Sequence, residues 1–286
     1  TGIGVWSHNT NEGCEFGSTY CYARYAHRYV AERARDAGRL DQAGFAELRG
    51  THGWEGFEHQ IFVKRRGAVL AALDRDLARV AARTAHDGLQ SILIGSATDP
   101  YQPAERQFRI TRAALERLRT AQQVSIGIIT KSPLVCRDID VLLELQERHR
   151  VTVNISLISV SRRLIRLFEV RSPMPHERLR AVRTLVDAGL NAGVLVAPIL
   201  PGISDSPGSL RRLLEAAKAH GARFAHPSPL RLYPAVGPVL LPIVEQHFPA
   251  LAARYRSVYR GDGHAPGRYA AALRARFAKI AEELGV

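Results

Sequence analysis

The sequence has few cysteines and no long apolar run. Three cysteines among 286 residues are too few for a disulfide framework, so the expected location is a reducing one, the cytoplasm. Apolar runs such as residues 193–200 are far shorter than the roughly 18–20 residues that cross a bilayer. We therefore expect no membrane contact, and residues 1–6 do not have the composition of a secretory signal.

Lysine is also scarce, because only four of the 40 basic residues are lysines. The net charge is nevertheless +13, and residues 1–60, with six Arg and eight acidic residues, contribute nothing to the excess. A positive excess favours a polyanionic partner, such as nucleic acid or a nucleotide-like substrate. The alternative is that the arginine preference, together with abundant alanine, reflects genomic base composition.

From about residue 90 onward the chain alternates short Ile- and Val-rich runs with segments of helical apolar spacing. The centres of the apolar runs lie roughly 27–40 residues apart, which is typical of βα units with parallel strands. Their near-continuous apolar character predicts a sheet or barrel covered on both faces. The predicted strands are Ser91–Gly95, Ser125–Lys131, Thr152–Leu157, Ala192–Pro198 and Ala222–Leu230.

The regions on either side of these repeats complete the predicted domain. Upstream, His59–Lys64 has the pattern of a strand and Ala68–Arg83 that of a helix. With the N-terminal segment as the first unit, the chain contains about six βα units and no linker-like composition. The tail, Pro249–Val286, is predicted to be helical and to pack on the outside or close one end.

Polar loops follow the predicted strands. In parallel α/β folds the carboxyl ends of the strands share one edge, where catalytic groups collect. We therefore expect these loops to surround one site. They are Gly95–Tyr101, Thr130–Ser132, Ser156 with Ser159, Pro198–Gly202 and Ser228–Arg231.

The most informative segment is residues 13–24, GCEFGSTYCYAR, which contains two cysteines seven positions apart. One interpretation is half of a zinc site, to which His8 and His27 could be recruited. A closed zinc site usually needs close cysteine pairs, and the chain has no second pair, so zinc is disfavoured.

In this segment Cys14, Ser18 and Cys21, with Tyr20 before the last, reproduce the frame C-x₃-C-x₂-C. The chain thereby resembles the radical S-adenosylmethionine (SAM) enzymes, and among them the spore photoproduct lyase-like branch. The resemblance extends over nearly the whole chain. It includes residues 22–29, 61–64, 98–106, 129–134, 137–138, 168–173 and 194–202.

The resemblance implies a fold, two cofactors and a reaction class. The fold is a partial (β/α)₆ TIM-like barrel over residues 1–248, with residues 249–286 as a helical C-terminal extension of the same domain. The cofactors are a [4Fe–4S] cluster on three loop thiolates and SAM on the open iron. An external one-electron reductant would start reductive cleavage of SAM, followed by hydrogen abstraction from an unknown substrate, for which nucleic acid is a candidate.

Site residues follow from the matched motif positions. Cys14 and Cys21 match the first and third cluster ligands, and Ser18 occupies the second. Tyr20 matches the aromatic residue near the adenine. The residues matched to the cofactor's carboxylate and polar groups, or lining the neighbouring strand end, are Lys131, Ser156, Ser96, Thr98 and Asp99. Independently, a lysine at the end of an apolar strand needs an anionic partner, and a salt bridge to Asp99 or Asp138 is the alternative to a cofactor.

Ser18 is the main departure from the family pattern, and the lead-in Asn9–Glu12 also lacks the usual Pro and aromatic residue. A serine hydroxyl is more basic and harder than a thiol, so we expect cluster binding and activity to be impaired. Either a working enzyme was substituted here, or a homologue lost its redox chemistry. The alternative function is a cofactor-less, Arg-rich barrel that binds nucleic acid.

Other candidate residues have structural as well as functional interpretations. Cys136 is predicted to be a small, partly buried filler, with hydrogen-atom donation as the alternative. Ser96 stands near the position where the lyase uses a cysteine to return hydrogen, so the same repair reaction is not expected. Ion pairs and substrate contacts are equally open for Glu105–Arg106 and Glu169–Arg171.

Overall fold

A computed structural model of the chain describes residues 5–25, 61–259 and 263–286, with isolated positions between 32 and 43. His27 and residues 59–60, which belong to sequence-based predictions above, lie outside the described residues.

Six parallel strands form the main sheet, in the order β1-β4-β5-β6-β7-β8, with β1 and β8 at its edges. Strands β2 and β3 form a separate antiparallel ribbon. The prediction of parallel βα units is confirmed for every strand from β4 onward. The strands are β1 (Val5–His8), β2 (Asn11–Glu12), β3 (Phe62–Val63), β4 (Ser91–Ile94), β5 (Ser125–Thr130), β6 (Arg150–Ser156), β7 (Ala192–Ile199) and β8 (Ala225–Pro229).

Helices connect the strands and cover the sheet. Within the described ranges, short 3₁₀ helices are formed by Tyr22–Tyr25 and Pro133–Asp138. The α-helices are α1 (Arg66–Asp87), α2 (Ala104–Phe108), α3 (Ile110–Leu118), α4 (Ile139–Gln146), α5 (Arg162–Phe168), α6 (Pro175–Asp187), α7 (Pro207–Ala219), α8 (Gly237–His247), α9 (Pro249–Val258) and α10 (Gly267–Leu284).

Local sequence explains these elements. Strand β5 contributes Ile126 and Ile128, which are fully buried in the core. Helix α7 begins where the Ser206 hydroxyl accepts a hydrogen bond from Ser209 N at 3.2 Å, and Pro207 occupies its first turn. The apolar stripe of this helix is buried, as the helical spacing predicts, and consists of Leu210, Leu213, Leu214 and Ala217.

The predicted strand His59–Lys64 needs correction. Of its described residues, Phe62 and Val63 alone form a strand, and this strand pairs antiparallel with Asn11–Glu12 outside the main sheet. Local alternation indicated a strand but could not identify its partner, which lies about 50 positions away in sequence. The following helix, predicted over Ala68–Arg83, extends over Arg66–Asp87.

The C-terminal segment is helical, as predicted. Helix α10 packs against α7 and against the edge strand β8. Its apolar face buries Leu273, Phe277 and Ile280. None of the helices in the described ranges combines the length and the hydropathy of a bilayer-spanning segment.

Candidate active site

A cavity of about 270 Å³ lies at the carboxyl ends of strands β4 to β8, covered by the loop of residues 13–24. Parallel strands bring these ends to one edge, which explains why segments distant in sequence meet here. All nine residues predicted to bind a cluster or cofactor line this cavity: Cys14, Ser18, Tyr20, Cys21, Ser96, Thr98, Asp99, Lys131 and Ser156.

The cysteine loop is compactly folded. Gly13 and Gly17 both adopt positive φ, which favours glycine, and Cys21 N donates to Ser18 O at 3.1 Å. Both cysteines pack against Ala23, as does Ala97. The two thiols and the Ser18 side chain therefore belong to one short loop and border one cavity.

The Cys14 thiol is strongly held in its neutral form. Burial raises its pKa to about 12, and the nearby negative charge of Asp99 acts in the same direction. A cation bound at this thiol would stabilise the thiolate and so favour its deprotonation. Among the described residues, no three Cys, His, Asp or Glu side chains cluster closely enough to hold a metal ion.

Residues 98–104, after strand β4, support one side of the cysteine loop. The Thr98 hydroxyl donates to Gly13 O. Gln102 Oε1 accepts from Glu15 N at 2.9 Å, and the Glu15 carboxylate accepts from Ala104 N at 2.7 Å. Thr98 therefore lines the cavity while its hydroxyl binds the protein backbone.

Residues 168–171, at the end of helix α5 and directly after it, support the other side of the cysteine loop. Thr19 N donates to Phe168 O at 2.9 Å, and Arg171 N donates to Phe16 O at 3.3 Å. Protein contacts on two sides thus define the shape of the loop.

The Asp99 carboxylate is satisfied by hydrogen-bond donors from its own turn and from the end of β5. Its carboxylate accepts hydrogen bonds from the Thr130 hydroxyl at 2.6 Å, Lys131 N at 2.8 Å and Tyr101 N at 3.0 Å. Burial raises the pKa of Asp99 above its ordinary value, although these donors oppose the shift. This network joins the ends of β4 and β5 and fixes the backbone at Lys131.

The Lys131 ammonium has no ion pair in the described part of the chain. Its Nζ lies 5.8 Å from the centroid of the Tyr20 ring, which is within cation–π range. The predicted alternative, a salt bridge to Asp99 or Asp138, is wrong. Asp99 binds the backbone of Lys131 instead, and Asp138 pairs with Arg112 and Arg137.

Ser96 and Ser156 line the cavity at the ends of β4 and β6. The Ser96 hydroxyl bonds to the hydroxyl of Ser7 and accepts from Asn9 Nδ2 at 3.1 Å, while Tyr22 donates to the Ser96 carbonyl. Ser156, at the end of β6, is 4% exposed. Among the described residues, no hydrogen bond to its hydroxyl is found.

The sequence did not reveal how Glu169 is paired. Glu105 pairs with Arg137, and Glu169 pairs with Arg178 rather than with Arg171. Glu169 also accepts a hydrogen bond from the Tyr20 hydroxyl. The signal that could have indicated this arrangement was an acidic residue in an apolar context shortly before an arginine on a helix.

Cys136 does not line the cavity. It packs against the core, with its sulfur 3.8 Å from Ala181 O, and burial raises its pKa to about 11. This placement confirms the interpretation of Cys136 as a filler and removes the basis for hydrogen-atom donation.

Comparisons with known proteins agree with this arrangement. The model of the Radical SAM superfamily matches residues 8–214. The chain is 30% identical over 272 residues to uncharacterized proteins of Mycobacterium tuberculosis and Mycobacterium bovis, which covers 95% of this chain and 72% of each relative.

Among solved structures, a mutant spore photoproduct lyase with bound AdoMet and dinucleoside spore photoproduct has a TM-score of 0.67 at 16% identity. The alignment covers 97% of this chain and 73% of that one. A spore photoproduct lyase complexed with the dinucleoside spore photoproduct gives a TM-score of 0.65. These similarities confirm the partial (β/α)₆ barrel.

Proposed function

Because the chain belongs to the radical SAM superfamily of enzymes, whose cofactors are a [4Fe–4S] cluster and SAM, we propose that its cavity binds SAM. The observation that supports this proposal is the convergence of nine motif-matched residues, from four separate segments, on one cavity. Lys131 also lines the cavity, and its ammonium lacks an ion pair among the described residues.

We propose distinct roles for the lining residues. Lys131 and Ser156 have polar groups that the described protein leaves available, so they would meet the carboxylate and other polar groups of SAM. Tyr20 would contact the adenine. Ser96, Thr98 and Asp99 shape the neighbouring wall, since their side chains bind the protein itself.

These roles are tested by calorimetry, which measures the binding of SAM to the iron-free protein with Ser18. We expect Lys131→Met to weaken the binding of SAM roughly tenfold, because the substitution removes a charge-assisted contact. Lys279→Met is the matched control, since Lys279 is exposed on α10, and it should leave the affinity unchanged. Equal affinities of the parent chain and Lys131→Met would contradict the assignment of Lys131.

The donors present do not fit a cluster that needs three thiolates. The loop offers the thiols of Cys14 and Cys21 and the hydroxyl of Ser18. An alkoxide is a harder and far more basic ligand than a thiolate, and iron–sulfur clusters are held by thiolates. We therefore propose that this chain, with Ser18, binds the cluster poorly and has little reductive SAM cleavage.

Anaerobic reconstitution of Ser18→Cys tests this explanation. The variant should acquire roughly four iron and four sulfide per chain, visible-blue absorption and dithionite-dependent formation of 5′-deoxyadenosine, whereas the parent should not. Ser204→Cys is the control, because it adds a thiol at a buried serine that does not line the cavity. A Ser18→Cys variant without cluster would show that more than this ligand is missing.

We propose further that the substrate carries an anionic group. Arg231 lines the cavity beyond β8, is exposed, and has no hydrogen bond or ion pair to the described residues. Together with the net charge of +13, this favours a phosphate-bearing partner such as nucleic acid. A labelled oligonucleotide should bind with an affinity that falls steeply with salt and weakens in Arg231→Gln, and no binding at low salt would contradict this. Salt-dependent binding without SAM binding would instead favour the cofactor-less barrel.

We also propose an electron source, a cellular location and a domain organisation. An external one-electron reductant is required for reductive cleavage, and a cytoplasmic location suits three free cysteines. We propose that residues 1–248 form the barrel and residues 249–286 its extension within one domain.

A further inference from the structure

A buried polar group lies behind the cavity wall and is formed by Tyr20, Glu169 and Arg178. Arg178 pairs with Glu169, and both side chains are 0% exposed. The Tyr20 hydroxyl donates to the other carboxylate oxygen of Glu169. Tyr20 lines the cavity, whereas Glu169 and Arg178 do not.

Arg178 also connects this group to two other segments. Its Nη1 donates to Ser156 O at 2.9 Å, and its Nε donates to Pro173 O at 2.9 Å. The guanidinium on helix α6 therefore fixes the end of β6 as well as Glu169. Two cavity residues, Tyr20 and Ser156, thus depend on one buried ion pair.

The backbone around Glu169 contacts the cysteine loop directly. Ser18 and Glu169 form an isolated antiparallel bridge next to Tyr20. The Glu169 carboxylate is held by Arg178 on one oxygen and accepts from the Tyr20 hydroxyl on the other.

We propose that Glu169 is a positioning residue, which fixes the ring of Tyr20 against the cavity and so sets the affinity for SAM without touching the ligand. The proposal rests on the proposed function. It adds that the protein shapes the SAM site through Glu169 and Arg178 even where no cluster is bound.

Tyr20→Phe is the main test, because it removes the hydrogen bond and keeps both the ring and the ion pair. We expect roughly tenfold weaker SAM binding by calorimetry at a temperature where all variants are folded. Glu169→Gln weakens the same hydrogen bond and also the ion pair with Arg178, so its loss should be at least as large, and adding Tyr20→Phe to it should cost little more.

Two controls separate positioning from stability. Glu105→Gln alters another buried carboxylate, paired with Arg137, and should lower the melting temperature without changing SAM affinity. The Tyr20→Phe loss should persist with 5′-methylthioadenosine, which keeps the adenine, whereas Lys131→Met should affect SAM alone.

The outcomes are distinguishable. Failure of both the parent chain and the reconstituted Ser18→Cys variant to bind SAM refutes the proposed function and the positioning proposal with it. A parent that binds SAM as tightly as Tyr20→Phe refutes the positioning role alone. Additive losses in the double variant also refute it, since Tyr20 and Glu169 would then act separately.

Discussion

At the scale of single residues, most buried polar groups around the cavity are already satisfied by the protein. The Asp99 carboxylate has three donors, and the Thr98 hydroxyl binds the loop backbone. In the described part of the chain, the Lys131 ammonium and the Ser156 hydroxyl lack such partners. Since a desolvated polar group without a partner is costly, these are the groups expected to meet a ligand.

His8 leads to a prediction about acid sensitivity. It ends strand β1, is 9% exposed, and its Nε2 has no hydrogen-bond partner among the described residues. Burial, with the nearby charge of Lys64, lowers its pKa from 6.5 to about 4. The folded state therefore resists protonation that the unfolded state accepts below pH 6.5, so stability falls as the pH drops from 6.5 towards 4.

We expect His8→Gln to remove this contribution, which amounts to about 2 kcal/mol between neutral pH and about pH 5. Urea unfolding at both pH values measures it as a smaller acid-induced loss in the variant. His226→Gln, at an exposed histidine, should behave like the parent. An unchanged acid-induced loss in His8→Gln would place the sensitive group elsewhere.

At the scale of elements, the turn after strand β4 determines where Ser96–Asp99 lie. Gly95 adopts φ +93, and a Cβ there would lie 2.4 Å from Ile129 O and 2.7 Å from Pro100 Cδ. Neither contact can be relieved without moving the backbone of β5 or the turn itself. Gly95→Ala should therefore destabilise the fold and displace the wall of the cavity.

Gly88 provides a matched comparison, because it also has positive φ (+74) but a Cβ there would meet nothing within 4 Å. Gly88→Ala should cost about 1–2 kcal/mol from backbone strain alone. Gly95→Ala should lower the free energy of unfolding by about 1–3 kcal/mol more and should also weaken the binding of SAM. Thermal unfolding and calorimetry measure both effects, and equal behaviour of the two variants would contradict the steric argument.

The elements that the sequence predicts are those with a strong local signal. Strands β4 to β7 and helix α7 each bury a regular apolar pattern, and parallel strands need long connections, so the spacing of these segments predicted a parallel arrangement. The ribbon of β2 and β3 could not be predicted, because two-residue strands have no periodicity.

The same distinction applies to the site. Strand ends share an edge in any parallel sheet, so the meeting of Cys14, Asp99 and Lys131 follows from topology. The pairing of Glu169 with Arg178 depends on how the turn before helix α6 folds back, so an acidic residue shortly before a helical arginine can indicate this pair but cannot establish it.

At the scale of the whole molecule, the extension and the barrel share one core. Helix α10 covers β8, the edge strand whose end borders the cavity, and its Phe277 is 2% exposed. Leu273, Phe277 and Ile280 of α10 belong to the same hydrophobic core as the strands of the sheet. We therefore expect the two regions to unfold together.

Phe277→Ala tests this coupling. Removal of a buried aromatic ring should cost about 3–5 kcal/mol, and the whole chain should lose this stability in one transition. Urea unfolding followed by far-UV circular dichroism and by near-UV aromatic signals should give coincident curves. Arg274→Ala, on the exposed face of the same helix, should change stability by less than about 0.5 kcal/mol. Two separate transitions, of which only the weaker responds to Phe277→Ala, would instead show that residues 249–286 fold independently of the barrel.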